Sequence, residues 1–119
     1  MLYNKDWDRP EVATEPWRRY LLDAADIIEA RGHCHGMVED AAGRVCIAGA
    51  ISVVAYGKVE RSGRYDFKAR MIADLAWYKL EQRVGFVVDW NDQHTGPEAI
   101  ALLRETALAD DGRTHPISS

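Results

Sequence analysis

The stretch Arg44–Tyr56, reading Arg-Val-Cys-Ile-Ala-Gly-Ala-Ile-Ser-Val-Val-Ala-Tyr, is apolar on every side. A helix of that kind holds only with partners packed all round it, so the stretch predicts a central helix. Its middle, Ala48-Gly49-Ala50, has almost no side chain. Neighbouring backbone can therefore come close, although Gly lowers helix propensity by about 1 kcal/mol relative to Ala. Close packing must outweigh propensity there.

The rest of the chain supplies the partners. Thr14, Glu15 and Pro16 suit a helix start. Trp17, Tyr20, Leu21, Ala24 and Ile28 then recur at helical spacing, with Arg18, Arg19, Asp23, Asp26 and Glu29 on the wet face and Gly32 as the stop. Between Gly32 and Val45, Asp40 to Gly43 has turn chemistry and Met37-Val38 reads as a short extended piece, fitting a small hairpin or a loop. Lys58–Tyr65 is a polar connection, and Asp66 caps a helix over Phe67–Arg83. In that helix Phe67, Met71, Leu75 and Tyr78 form one apolar stripe, widened by Ile72 and Ala76. Gly85 closes it, and Phe86-Val-Val-Asp-Trp90 reads as an extended element. Thr95-Gly-Pro-Glu98 is a capping box for the last helix, with Ala99, Ile100, Leu102, Leu103 and Leu108 on its buried face and Gly112 at its end. The expectation is a mainly α, compact four-helix single domain over residues 14–112. Its central helix lies at about 44–56 and a minor extended element at about 86–90. Residues 1–13, with Tyr3 and Trp7, read as an arm that docks on the body or covers a second copy, and 113–119 as a loose tail.

Charge and composition narrow the function. Fifteen basic against nineteen acidic residues give a net charge of −4, which speaks against general nucleic-acid binding, because that affinity comes from many phosphate contacts. Lys58, Arg61, Arg64, Lys68 and Arg70 outnumber Glu60 and Asp66, but no recognition helix accompanies them. Asp23, Asp26, Glu29, Glu39 and Asp40 make an acidic region that suits either a basic partner or an ordinary wet face. The first residues show no basic segment leading into an apolar run, and no apolar stretch nears the roughly 18 residues that span a bilayer. A cytoplasmic protein without membrane contact is expected, with Cys34 and Cys46 as reduced thiols.

A set of elements carries a resemblance. They are Arg31-Gly-x-x-x-Gly36, Asp40-x-x-Gly43-Arg, Cys46-x-x-Gly49-Ala50-Ile51, Val88-x-Trp90-Asn91-Asp92 and Glu98-x-x-x-Leu102-Leu103. Together, over about residues 14–109, the chain resembles a family of small actinobacterial and actinophage proteins of unknown function. The Trp-Asn-Asp element followed by a capped helix is the most specific part. The resemblance implies a phage or mobile-element origin; it implies no activity, cofactor or catalytic residue.

Three groups of residues are candidates for chemistry. His33, Cys34, His35 and Cys46 offer soft metal ligands, but without Cys-x-x-Cys or His-x3-His spacing; polar loop residues beside a core are the plainer reading. Cys46, near a helix N-terminus, combines on paper with His94 and Asp92, or His35 as base, into a thiol-dependent or metal-assisted hydrolase. No oxyanion-hole signature accompanies it, and cysteine is among the most often buried residues. Trp90, Asn91, Asp92 and His94 form the most concentrated polar and aromatic group. They fit either a ligand or partner pocket or an Asx-type brace where one element gives way to the next. With neither a complete catalytic set nor a cofactor fingerprint, the preferred expectation is a small noncatalytic binding protein. A host protein is its expected partner, and a homodimer remains open.

Overall fold

The computed structural model describes residues 15–59 and 66–109. The expected arm (1–13), the Thr14 cap, Arg61 and Arg64 of the basic connection, the stop at Gly112 and the tail (113–119) lie outside the described residues. Among the described residues five helices form a mainly helical single domain: α1 Pro16–Arg31, α2 Ile47–Tyr56, α3 Phe67–Val84, α4 Val87–Asp92 and α5 Gly96–Leu108. Two isolated β-bridges accompany them among these residues, both involving Val45, with His33 and with Glu39.

The helix starts follow from the sequence. Pro16 opens α1, the Asp66 side chain accepts from the Ala69 N–H, and Thr95 with Glu98 forms the reciprocal box at α5. Each bond satisfies an N–H that the helix geometry leaves without a partner. Gly32, Gly57 and Gly85 end α1, α2 and α3 with positive φ, a backbone conformation glycine adopts without steric cost.

The centre of the domain is α1, which packs against α5, α2 and α3. It buries Trp17, Leu21, Ala24, Ala25 and Ile28 in the common core. The apolar stretch expected to be the hub divides instead. Arg44–Cys46 belongs to the preceding loop, where Val45 and Cys46 are buried, α2 starts at Ile47, and within the helix burial is confined to Ile47, Gly49, Ala50 and Ile51, with the last turn half-buried. Apolar character at Val53, Val54 and Ala55 therefore reflects partial cover and not envelopment. The small-residue centre does admit close backbone, but from a loop: a Cβ built at Gly49 would lie 2.2 Å from the Val38 carbonyl oxygen.

Arg18, expected on the wet face, is buried at 3% exposure. Its guanidinium donates to the carbonyls of Ala107 (2.8 Å) and Ala109 (2.6 Å), pairs with Glu15 and stacks on Trp17 at 4.5 Å. These are carbonyls the end of α5 leaves open, and a buried cation there is both paired and hydrogen-bonded. The acidic region is largely matched within the chain: Asp26 and Glu29 hold Arg104, Glu39 pairs with Arg31, and Asp40 with Arg44.

Two readings of the α3–α4 region are overturned. Phe67, Met71, Leu75 and Tyr78 do not face the core; they are 65, 55, 42 and 53% exposed. The buried face of α3 is Ala69, Ala73, Ala76 and Leu80. Alanines let α3 lie close on α1 and α2, so the small side of the helix goes in and the large apolar side goes out. Phe86–Trp90 is not extended: Val87–Asp92 is a short helix that buries Val87 and Asn91, one turn apart. The i, i+4 pair prevails over the β-branched, aromatic composition that suggested a strand.

Candidate functional site

The residues singled out in the sequence meet where the loop 32–46 lies against α4 and the turn leading into α5. The loop is shaped first. Asp40 Oδ1 accepts from the N–H groups of Ala42 (3.0 Å) and Arg44 (2.9 Å), while the Gly43 N–H donates to the Asp40 carbonyl (2.9 Å). This is the expected turn, closed by a carboxylate. Backbone bonds from Cys34 to Val45, Val45 to Gly32 and Cys46 to Val38 then fold the two limbs together. Arg31 fastens them to the end of α1 through the Gly43 carbonyl at 2.8 Å.

Asn91 joins this loop to α4. It is 2% exposed and uses both ends of its amide. Oδ1 accepts from the Ile47 N–H (3.1 Å) and from His33 Nε2 (2.6 Å); Nδ2 donates to the Cys34 carbonyl (3.2 Å) and to Asp92 Oδ1 (3.1 Å). The Ile47 N–H and the Cys34 carbonyl fix the orientation of the amide. His33 Nε2 must then carry a proton. His33 Nδ1 is buried and has no hydrogen-bond partner among the described residues.

The remaining members extend the brace. Asp92 Oδ1 also accepts from the Gly36 N–H at 2.9 Å. That bond, the Asn91 amide and the nearby His35 and His33 hold its carboxyl below the usual range. His35 Nε2 donates to the His94 carbonyl and His94 Nδ1 to the Trp90 carbonyl, both at 2.6 Å. The Trp90 and His94 rings stack with centroids 3.8 Å apart, and His33 meets His35 edge-on at 4.8 Å. In this group the Asn91 amide, Asp92 Oδ1 and His94 Nδ1 are engaged in positioning backbone, at Ile47, Cys34, Gly36 and Trp90.

The hydrolase and metal arrangements are placed as follows. The Cys46 thiol caps α2, accepting from the Gly49 N–H at 3.4 Å, and among the described residues neither His94, His35 nor Asp92 hydrogen-bonds to it. Burial pushes the Cys46 thiol up, against the lowering effect of the Gly49 and Ala48 N–H groups; the Asp92 carboxylate adds to the rise. Burial likewise raises Cys34, whose Sγ donates to the Met37 and Arg44 carbonyls, both at 3.3 Å. Among the described residues no three His, Cys, Asp or Glu side chains gather so as to hold an ion. His33, Cys34, His35 and Cys46 therefore share a loop without sharing a coordination point.

Both thiols are expected to alkylate slowly in the folded protein near pH 7 and promptly once denaturant exposes them, read by intact mass with Cys34→Ser to separate the two. Fast labelling of Cys46 near pH 6 would contradict the burial account. The same shift has a stability consequence. Unfolded thiols ionise near about pH 8.5, whereas the folded thiols hold their protons to higher pH. The contribution is full below that value and is lost as pH rises through the folded pKa.

Beside Cys46 lies an apolar slot of about 160 Å³, lined by Met37, Val38, Trp77, Val87 and Val88 among others and bounded by Asn91 and Asp92. Met37, Val38 and Val88 on its rim are each about half-exposed. An open groove of about 270 Å³ runs between α2 and α3, past Tyr56, Arg70, Asp74 and Trp77. The feature that sequence reasoning missed is the outward stripe of α3. Its signal was present in the alternation of Ala69, Ala73 and Ala76 on the opposite side of the same helix.

No helix among the described residues is long and apolar enough to cross a membrane. No curated protein and no solved structure matches the chain. The resemblance drawn from the sequence over about residues 14–109 is met by a family model spanning residues 13–109, and the chain belongs to that family, DUF6197, a family of unknown function.

Proposed function

We propose that this protein is a small noncatalytic interaction protein whose binding face is the outer stripe of α3. The carrying observation is that Phe67, Met71, Leu75 and Tyr78 stand 42–65% exposed along one side of an 18-residue helix whose other side is packed. Contiguous exposed apolar side chains of this kind mark interaction surfaces. A spacing of four, four and three residues is the pattern one helix offers another. By helical geometry Asp74 and Glu81 border one edge of the stripe and Lys68 and Lys79 the other. The fitting partner is an amphipathic helix of another protein whose apolar face covers the stripe; of the bordering charges Asp74 is already paired with Arg70 at 3.1 Å and Lys79 lies over the Trp17 ring at 5.0 Å. Action in the cytoplasm, on a host protein and from a phage genome, rests on the resemblance carried by the Cys46–Ile51 and Val88–Asp92 elements. The Trp90, Asn91, Asp92 and His94 group, read from the sequence as a partner site, supports the reading as the brace that holds the scaffold.

A photoreactive benzophenone side chain placed at Met71 or Leu75 tests it in cells producing the full chain. The expected result is a crosslink at both positions to an amphipathic helical segment of one protein, and none from Asp26 on the far side of α1. Leu75→Asp should remove the crosslink formed from Met71 while changing stability by no more than about 0.5 kcal/mol, as for an exposed site. Crosslinks confined to a second copy or to residues 1–13, or equal crosslinking from Asp26, would overturn the reading.

A further inference from the structure

We infer that the slot beside Cys46 is filled by Phe86 of a second copy of this chain, in a two-fold dimer distinct from the α3 face. Phe86 is 80% exposed, the most exposed of the large apolar side chains described. It immediately precedes Val87 and Val88, which line the slot. The slot, at about 160 Å³, matches the roughly 150 Å³ apolar cavity known to take a benzene ring. It is too small for the usual ligand pocket of about 300 Å³ and above. A knob and a hole so close together satisfy each other reciprocally only about a two-fold axis, which puts the same surface on both sides of the contact.

The direction follows from α4. It is six residues long, about 9 Å at a helical rise of 1.5 Å per residue, with Phe86 at one end and Asp92 at the other. A two-fold axis crossing α4 lays the two copies antiparallel, so Phe86 of one copy comes over the Asp92 end of the other's slot. The charges agree with this. Among the described residues Asp92 spends only Oδ1, on Gly36 and Asn91, and Oδ2 accepts nothing. Arg83, one turn before Phe86, is exposed, and among the described residues its ion pair is a loose 3.7 Å contact with Glu105. Across the axis Arg83 approaches the partner copy's free carboxylate oxygen while the ring enters the slot. Met37, Val38 and Val88 form the apolar rim that closes round it.

Sedimentation of the full chain over a range of concentrations reads the dimer directly. Wild type is expected to associate reversibly. Phe86→Ala should weaken association by about 30-fold or more, as for an interface hot spot, with an unchanged melting curve at concentrations where wild type is monomeric, because the side chain is exposed in the single chain. Ala48→Met, which fills the slot from α2, should weaken it similarly. A mixture of the two variants should recover partial association, because one intact ring then meets one intact slot. Arg83→Gln should cost several-fold and flatten the salt dependence. A wild-type chain that stays monomeric at high concentration, a Phe86→Ala variant that dimerises normally, or association abolished by Leu75→Asp instead would overturn the inference. Leu75→Asp reads the α3 face and Phe86→Ala the slot, so either reading can fail without the other.

Discussion

Asn91→Leu is expected to lower stability by about 4 kcal/mol. The replacement fills similar space but strands the Ile47 N–H, the Cys34 carbonyl and the His33 Nε2 proton, all of which face the Asn91 amide. Each stranded buried group costs about 1–3 kcal/mol, partly offset where the structure relaxes to admit water. Against a typical total of 5–15 kcal/mol the loss is large. Urea unfolding checks it: the midpoint should fall by roughly 2–3 M at a slope near 1.5 kcal/mol/M. A midpoint shift under about 0.5 M would show that the network is incidental. Asn91→Asp adds a pH test. A carboxylate 3.1 Å from Asp92 Oδ1 is disfavoured when ionised, so its folded pKa rises above its unfolded value. The deficit against wild type should then be small below about pH 4 and grow as pH rises through the folded pKa.

Gly49→Ala is the second large effect, and its sign opposes propensity. In an isolated helix the change gains about 1 kcal/mol. Here the added Cβ would meet the Val38 carbonyl oxygen at 2.2 Å and the Val45 Cβ at 3.3 Å. The carbonyl is backbone and is already held by the Cys46 N–H at 3.1 Å, so neither side yields without breaking the loop's own bonds. A net loss of about 2–3 kcal/mol is expected, in the range of overpacked cores. The melting temperature should drop by roughly 8–15 °C. Amide exchange at Cys46 should accelerate with it. An unchanged or higher melting temperature would mean that the 38–46 loop rides loosely on α2.

These two positions show what a sequence of this kind discloses. The Thr95–Glu98 box, the Asp66 cap and the Asp40–Gly43 turn are legible because each is local, with donor and acceptor a few residues apart. The requirement for glycine at 49 is legible too, but not the identity of its neighbour, since Val38 comes from a loop with no period of its own. The Phe67–Tyr78 stripe is misplaced because α3 is apolar on two sides. Periodicity finds both sides, and only the space available between α1 and α2 decides that the alanines enter. The grouping of residues 90–94 is visible as a concentration of chemistry; its union with His33 and His35 spans more than fifty residues and leaves no local trace. Arg18 is hidden for the same reason, its partners lying near residue 108.

That last contact also settles how the body is entered and left. Because Arg18, near the start of α1, pairs with Glu15 and donates to the Ala107 and Ala109 carbonyls, the first turn of α1 lies beside the end of α5. Domains built this way tolerate circular permutation and transplantation into an exposed turn of an unrelated protein, where a guest with distant ends would pry its carrier apart. For an engineer, the guanidinium that finishes α5 makes the whole unit a plug-in cassette.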